Sequence, residues 1–412
     1  MSTSHAPWRY ILLLGACTAL PPLSTDMALP AISQVGSALH SDSAAAAQTI
    51  TLFILGFVLG PLLFGPLSDR LGRRPILFAG LAVFTLAGLA CALAPSMPVL
   101  LASRLLQGAA AGAAAAMPIA IVRDAFTGTQ GRSLQSALVA INNVAPLLAP
   151  LLGAGILSLG SWRSIYATLA LAGVALLASA RLSLRESHPP AKRSAQPLIA
   201  TYRQVLRNRR FVVCALILAL NFAGLFAYIT ASPLVFMDAL GLSSQGFAVL
   251  FAVTALGTLG GSWLNGRLIR SGWGEARIIG LSLLASLGCS LGLVLCSAFT
   301  SAPMLQLAAL VVLSNVCTGL VMPNATHASL EGLHQVAGSG AALLRAMQMA
   351  GGAASGFLVG LLYDGHSAHA MAGVMLGCSV LALLCFAAGY GAINQVDSPN
   401  LPDQLPLERE PS

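Results

Sequence analysis

Two ionisable side chains and one amide in the long apolar stretches of this sequence are the first candidates for chemistry. Asp26 lies in the first stretch, and Arg104 and Gln107 lie in the fourth. A charge at the centre of a bilayer costs about 3 kcal/mol or more, so an embedded charged residue is a functional candidate by default. A carboxyl in such a place can lose a proton on one side of a membrane and regain it on the other. Because residues three apart share a helix face, Arg104 and Gln107 face the same way.

The composition is that of a membrane protein. Of the 412 residues, 57% are apolar and 8% are charged, whereas roughly 25% are charged in a soluble domain. The mean hydropathy is +0.82. With 21 basic and 13 acidic residues, the chain cannot cover a water-soluble surface of this size.

Apolar runs separated by polar breaks predict twelve crossings, since about 20 apolar residues span a bilayer core. The runs are too long and too continuous for the alternating strands of a membrane barrel, so we predict an all-α membrane protein. The approximate ranges are 9–33, 47–67, 75–94, 98–122, 134–158, 162–182, 211–237, 245–268, 276–297, 304–326, 337–362 and 368–390.

The basic residues between the runs orient the predicted helices. Sixteen Lys and Arg residues fall in the breaks on one side of the membrane, and only Arg163 falls in those on the other. Because Lys and Arg collect in cytoplasmic loops, we expect both termini in the cytoplasm. The net charge of +8 is therefore explained by topology and not by a nucleic-acid partner.

This orientation places Asp26 and Arg104 at a similar depth. Each lies about six or seven residues from the outer end of its predicted span, or about 10 Å below the surface at 1.5 Å per residue. The two groups can therefore interact. A structural ion pair is the alternative for Arg104, and a hydrogen bond to a neighbouring helix is the alternative for Gln107.

The chain divides at its longest charged break. We predict an N-terminal six-helix half at 1–182, a cytoplasmic linker at 183–210, a C-terminal six-helix half at 211–390 and a disordered cytoplasmic tail at 391–412. The two halves echo each other weakly. Asn265 stands in the second half where the first half has Asp69. Two such halves are typical of a transporter whose halves move about a site at the membrane midplane.

A charge cluster is predicted on the cytoplasmic side of the first half. Asp69, Arg70, Arg73 and Arg74 follow the second span, and Asp124 ends the fourth. Basic residues at this position anchor the cytoplasmic side, but that role does not explain the acids. We expect Asp69, Arg73 and Asp124 to form a charge network between helices. In the second half, we expect Asn221, Asn315 and Asn324 to make hydrogen bonds between helices.

Four segments resemble a known family. Gly65–Pro75, GPLSDRLGRRP, matches the cytoplasmic loop signature of the major facilitator superfamily. The other three resemble its drug/proton antiporter branch, in particular the Bcr/CflA group of bacterial exporters. Thr25–Ala31 (TDMALPA) is similar to the first-helix motif of that group, and Arg104–Gly108 (RLLQG) to the fourth-helix R-x-x-Q-G pattern. Ala145–Ala154 (APLLAPLLGA) is similar to the fifth-helix G-x-x-x-G-P-x-x-G-G motif, with alanine in place of three glycines.

The resemblance implies the major facilitator fold, with twelve transmembrane helices in two six-helix halves. It implies proton coupling at Asp26, a substrate or coupling role for Arg104 and Gln107, and an antiporter motif that includes Pro150 and Gly153. In similar transporters the cytoplasmic motif locks the outward-facing state. Its residues here are Gly65, Asp69, Arg70, Gly72, Arg73, Arg74 and Asp124.

These features predict a monomeric, proton-coupled antiporter that exports small drug-like or amphipathic compounds across the bacterial inner membrane, as in multidrug efflux and drug resistance. The alternative is an exporter of a specific metabolite, such as a nucleoside or an amino acid. A membrane enzyme would need clustered catalytic groups, and a channel would not explain the two halves. We expect no cofactor and no metal. The role of Arg345, eight residues into the eleventh span, is left open.

Overall fold

The computed structural model describes residues 8–126, 128–187, 198–298, 304–333 and 337–394, and within these ranges the chain is helical with no strand. A 3₁₀ turn covers Leu29–Ala31, and π-helical turns cover Gly60–Phe64 and Leu234–Ala239. The α-helices are α1 (Trp8–Asp26), α2 (Ile32–Ala38), α3 (Ser43–Leu59), α4 (Gly65–Leu71), α5 (Arg73–Ala92), α6 (Met97–Ala125), α7 (Gly128–Leu159), α8 (Trp162–Ser183), α9 (Leu198–Arg207), α10 (Arg209–Pro233), α11 (Ser244–Arg270), α12 (Glu275–Ser297), α13 (Met304–Leu330), α14 (Ala337–Leu362) and α15 (His369–Asn394).

Among the described residues, eleven helical stretches are long and apolar enough to cross a membrane. The twelfth long helix is α14, whose 26 residues include Arg345 and Gln348 as well as several glycines. Helices suit this setting because they satisfy their backbone polar groups internally, where lipid offers no partner. The predicted all-α membrane fold is confirmed.

The first crossing is longer than predicted and is interrupted in the middle. It runs from Tyr10 to Ala38 and includes α1, the 3₁₀ turn and α2. Helix α1 ends at Asp26. Pro30, four residues later, contributes to this end, because it has no N–H to donate to the Asp26 carbonyl. Asp26 is thus twelve residues from the C-terminal end of this crossing, about 18 Å at 1.5 Å per residue, whereas the predicted span placed it seven residues from that end.

The two halves repeat one packing scheme. In the first half, α6 packs on α3 and α5, while α1 packs on α7 and α5 packs on α8. The second half repeats these pairs, because α13 packs on α11 and α12, while α10 packs on α14 and α12 packs on α15. Between the halves, α3 packs on α14 and α7 packs on α11. These cross-contacts are also related by exchanging the halves, as expected for an internal repeat.

Part of the predicted linker is helical. Residues 198–207 of the predicted 183–210 linker form helix α9, and α10 already begins at Arg209. The Asn208 side chain explains this start, because its Oδ1 accepts a 3.0 Å hydrogen bond from the Phe211 N–H. Helix α15 continues to Asn394, into the predicted tail. The linker segment 188–197 and the tail from 395 lie outside the described residues.

Glycines let the long helices approach closely in both halves. A Cβ at Gly108 of α6 would overlap the Phe53 carbonyl of α3. In the second half, a Cβ at Gly261 of α11 would overlap the Val316 carbonyl of α13. Small residues at such interfaces allow backbones to pack without an intervening side chain. The neighbouring Gly260 has no atom within 4 Å of the same position.

We therefore expect Gly261→Ala to destabilise the second half by about 1–3 kcal/mol, because the added methyl group forces α11 away from α13. The matched control is Gly260→Ala, which adds the same methyl group to open space and should leave stability unchanged or slightly higher. Thermal unfolding of the purified proteins in detergent measures both. Equal melting temperatures for the two variants would contradict the close packing.

Candidate functional site

A cavity of about 840 Å³ lies between the two halves. Helices α1, α3 and α7 line it from the first half, and α10, α11, α13 and α14 line it from the second. Five of the lining side chains are aromatic, and such surfaces suit the apolar body of a small molecule. The aromatic lining residues are Phe57, Phe222, Phe226, Tyr228 and Phe251.

The cavity reaches the surface at one end and is closed at the other. Its lining includes Glu331 and His327 at the end of α13, and the His327 side chain is 67% exposed. Glu331 makes a 2.8 Å ion pair with Arg210, at the start of α10. At the opposite end the halves are joined by two hydrogen bonds. The Ser33 hydroxyl donates to Asp238, and the Ser244 hydroxyl donates to the Pro30 carbonyl.

Asp26 lines this cavity at the break in the first crossing. The residue is only 4% exposed, and its carboxylate accepts a 2.8 Å hydrogen bond from the Thr25 hydroxyl. Thr25 also lies within 3.2 Å of the Pro21 and Pro22 carbonyls, so its position follows the helix backbone. The structure therefore holds a buried carboxyl at the wall of the cavity, near the middle of the crossing.

The predicted antiporter motif packs directly behind Asp26. A Cβ at Gly153 of α7 would overlap the carbonyl of Met27, the residue after Asp26. Pro150, one turn earlier in α7, is buried. The alanines that replace glycine in this motif are buried as well. Close contact between α7 and the break in the first crossing therefore needs glycine at position 153, while alanine is accommodated at positions 145, 149 and 154.

Arg104 is fully buried beside the cavity and is not part of its lining. Its guanidinium donates hydrogen bonds of 3.0 Å to the Ser24 carbonyl and 3.2 Å to the Thr49 carbonyl. It also donates to Gln107 Oε1 at 2.7 Å. The Phe53 ring centroid lies 4.4 Å from the guanidinium carbon. Arg104 thus links α6 to α1 and α3.

The structure does not place Arg104 on the Asp26 carboxylate. The described residues contain no ion pair between the two, and the guanidinium bonds to backbone two residues before Asp26. The Gln107 amide accepts from Arg104 in its own helix, and its nitrogen is buried without a hydrogen-bond partner among the described residues. A role of either residue in substrate binding or coupling stays a prediction.

The structure brings Asp69, Arg73 and Asp124 together at one end of the first half, where Arg70 and Arg74 also lie. We call this the basic end. Arg73 pairs with Asp69 at 2.6 Å and with Asp124 at 2.9 Å, and also donates to Ser68. Gly72 between α4 and α5 has φ of 103°, a conformation that favours glycine. Together these contacts fix the ends of α4, α5 and α6 against one another.

The other residues of the motif lie around this network. Arg70 is exposed, the Arg74 guanidinium lies 4.8 Å from the Phe78 ring centroid, and a Cβ at Gly65 would meet no atom within 4 Å. Sequence reasoning missed Glu186. Its carboxylate accepts hydrogen bonds of 2.9 and 3.1 Å from the backbone N–H groups of Arg73 and Arg74, at the start of α5. The sequence did offer a signal for this role, because Glu186 is the only acid among the basic residues that follow the sixth predicted span.

The network also lies near the linker and the second half. Burial and the negative charge of Asp69 raise the pKa of Tyr202 in α9. The Arg123 side chain lies 3.7 Å from the position of a Cβ at Gly338, near the start of α14. The predicted charge network therefore lies where the first half, the linker helix and the second half meet.

Two of the three asparagines for which we predicted bonds between helices make them. The Asn315 amide donates to the Thr254 carbonyl at 2.9 Å, and the Asn324 amide donates to Asn265 at 2.6 Å. Both bonds link α13 to α11. Asn221 differs, because its Oδ1 is buried without a hydrogen-bond partner in the described part of the chain.

Twelve long helices within the described ranges, an internal repeat and a cavity between the halves are the combination found in a membrane transporter. The sequence profile described as "Major Facilitator Superfamily" matches residues 14–356. The chain therefore belongs to the major facilitator superfamily.

Relatives and a solved structure agree with this membership. The chain is 31% identical to the "Uncharacterized MFS-type transporter YdgK" of Bacillus subtilis, over 91% of this chain and 93% of the relative. It is 27% identical to a "Bicyclomycin resistance protein homolog" of Haemophilus influenzae, over 94% and 97%. The crystal structure of a D-xylose-proton symporter shares the fold, with a TM-score of 0.71 at 16% identity over 92% of this chain and 97% of that one. The resemblance to the drug-efflux branch is confirmed.

We expect Gly153→Ala to impair transport, because the added methyl group displaces the backbone that carries Asp26. The matched control is Gly155→Ala in the same helix, where a Cβ meets no atom within 4 Å. The transport rate of each variant is measured in membrane vesicles that contain equal amounts of protein. If Gly153→Ala transported at the parental rate, the contact with Met27 would not control the position of Asp26.

Proposed function

We propose that this protein is a proton-coupled antiporter that exports small drug-like or amphipathic compounds across the bacterial inner membrane. The proposal rests on one observation above all, the buried carboxyl of Asp26 at the wall of a large, partly aromatic cavity between the two halves. The drug-resistance relative from Haemophilus influenzae supports the substrate class. The aromatic wall favours an amphipathic compound over a hydrophilic metabolite.

The basic residues support the proposed orientation. They cluster at the end of the bundle where the cavity reaches the surface, and examples are Arg70, Arg73, Arg210 and Arg267. Because Lys and Arg collect in the cytoplasm, the cavity of this structure faces inward. A compound from the cytoplasm or the inner leaflet then enters beside Glu331 and reaches Asp26.

In this scheme Asp26 carries the proton and the cavity carries the compound. With the cavity facing inward, Asp26 releases its proton and the compound binds. The halves then rock about the site, and the hydrogen bonds at the outer end, such as Ser33 to Asp238, break. On the outer side a proton returns to Asp26 and the compound leaves. The proton and the compound each shift the equilibrium between the two states because each binds one state more tightly than the other.

We expect Asp26→Asn to abolish uphill export driven by a pH gradient, because the amide mimics a permanently protonated carboxyl. Exchange of compound down its own gradient should persist. The control is Asp42→Asn, since Asp42 caps α3 outside the cavity and asparagine caps equally well. Uphill transport and exchange are both measured in everted vesicles that contain matched amounts of each protein, with and without a pH gradient. Full uphill transport by Asp26→Asn would remove Asp26 from the coupling role.

We expect Asp69→Asn to insert normally and to cycle more slowly. The change removes a charge that faces Arg73 and the linker helix, but it keeps the side-chain volume. Arg73 retains Asp124, so the first half stays folded. The resemblance implies that this motif locks the outward-facing state. The mutation should therefore shift the equilibrium toward the inward-facing state. Crosslinking of cysteine pairs across the outer end, together with transport rates, measures this shift. A parental rate and an unchanged crosslinking pattern would make Asp69 only a surface acid.

A further inference from the structure

Arg345 is a second charged group in the cavity wall, on the half opposite Asp26. It lies two turns into α14 and lines the cavity together with Met349, one turn later on the same face. Its guanidinium carbon lies 6.0 Å from the Phe222 ring centroid. Within the described part of the chain, no carboxylate forms an ion pair with it at 4.0 Å or less.

The carboxylates of this region have other partners. Glu331, at the open end of the cavity, is paired with Arg210 at 2.8 Å. Asp26 accepts its hydrogen bond from Thr25, on the first half. Arg104, the other buried cation in this part of the structure, donates to two backbone carbonyls and Gln107. Arg345 thus differs from Arg104, because it presents a guanidinium to the cavity and not to the helices around it.

An unpaired guanidinium in a largely apolar wall is costly unless an anion or water satisfies its donors. A guanidinium binds carboxylate, sulfonate or phosphate oxygens through a planar fork of N–H groups. Next to it, Phe222 and Phe226 stand 4.7 Å apart between ring centroids and offer an apolar face. The wall therefore presents an anion donor and an aromatic surface side by side.

We propose that Arg345 binds an anionic group of the transported compound, so that the substrates include amphipathic anions with an aromatic body. This inference rests on the proposed function, and it names the chemistry of the cargo. The proton carrier and the anion-binding residue then lie on opposite halves of the cavity. The cation also offsets the repulsion between an anionic compound and an ionised Asp26.

Equilibrium binding of two matched dyes tests this inference. The dyes are 8-anilinonaphthalene-1-sulfonate and N-phenyl-1-naphthylamine, which have the same ring system with and without the sulfonate. Binding is measured by fluorescence titration of the full chain in lipid nanodiscs, with empty nanodiscs subtracted. We expect Arg345→Gln to weaken sulfonate binding roughly ten- to hundredfold, the range of a charge-assisted hydrogen bond. Binding of the neutral dye should change less than about twofold.

Two further variants make the result specific. Arg345→Lys keeps the cation and should retain most of the sulfonate affinity. Arg267→Gln removes an exposed arginine that stacks on Trp263 outside the cavity, and it should leave both dyes unaffected. Because Arg345 has no carboxylate partner within the described residues, Arg345→Gln should melt at or above the parental temperature. The melting measurement thus separates a binding role from a structural one.

Three outcomes would overturn the inference. The first is a parent that binds the sulfonate no better than Arg345→Gln does. The second is an equal loss for both dyes, which would make Arg345 a general part of the wall. The third is a large fall in melting temperature for both Arg345→Gln and Arg345→Lys, which would make it a structural residue. No proton gradient is present in this assay, so failure of proton coupling at Asp26 would leave its result unaffected.

Discussion

The break in the first crossing, between Asp26 and Pro30, is the feature on which the site depends. A helix in lipid must satisfy its backbone polar groups within itself, and a proline four residues after Asp26 prevents this at the Asp26 carbonyl. The first crossing therefore opens near its middle, at a residue whose side chain is acidic. The opened backbone is then supported from outside, since Arg104 donates to the Ser24 carbonyl and Gly153 packs against the Met27 carbonyl.

Asp26 and Arg104, the two charged residues singled out in the sequence, have different surroundings at this break. Arg104 is tied to α1 and α3 by hydrogen bonds to backbone carbonyls, which turns a costly buried cation into a crosslink between three helices. Asp26 accepts a hydrogen bond from the Thr25 hydroxyl and faces the cavity. The backbone before the break is therefore held by Arg104, while the acid itself lies in the wall of the cavity.

The two halves use the same packing but different polar chemistry. The first half joins the ends of α4, α5 and α6 through Arg73 and two carboxylates. At the related place the second half joins α11 and α13 through the neutral pair of Asn265 and Asn324. Glycines bring the long helices into direct backbone contact in both halves, so each half can move as a unit. The charged residues that the two halves do not share therefore lie at the cavity and at the end of the bundle where the basic residues cluster.

The sequence by itself determined the class of the fold and the identity of the central acid. Twelve apolar runs, a charged break after the sixth and the motif around Asp69 sufficed, because bilayer thickness sets helix length and charge is excluded from lipid. It did not determine where the partners lie. The bonds of Arg104 to Ser24 and Thr49, the contact of Gly153 with Met27 and the cavity position of Arg345 join residues far apart in the chain. Such contacts depend on how the helices pack, and helix periodicity reports only which residues share a face, not which face meets which neighbour.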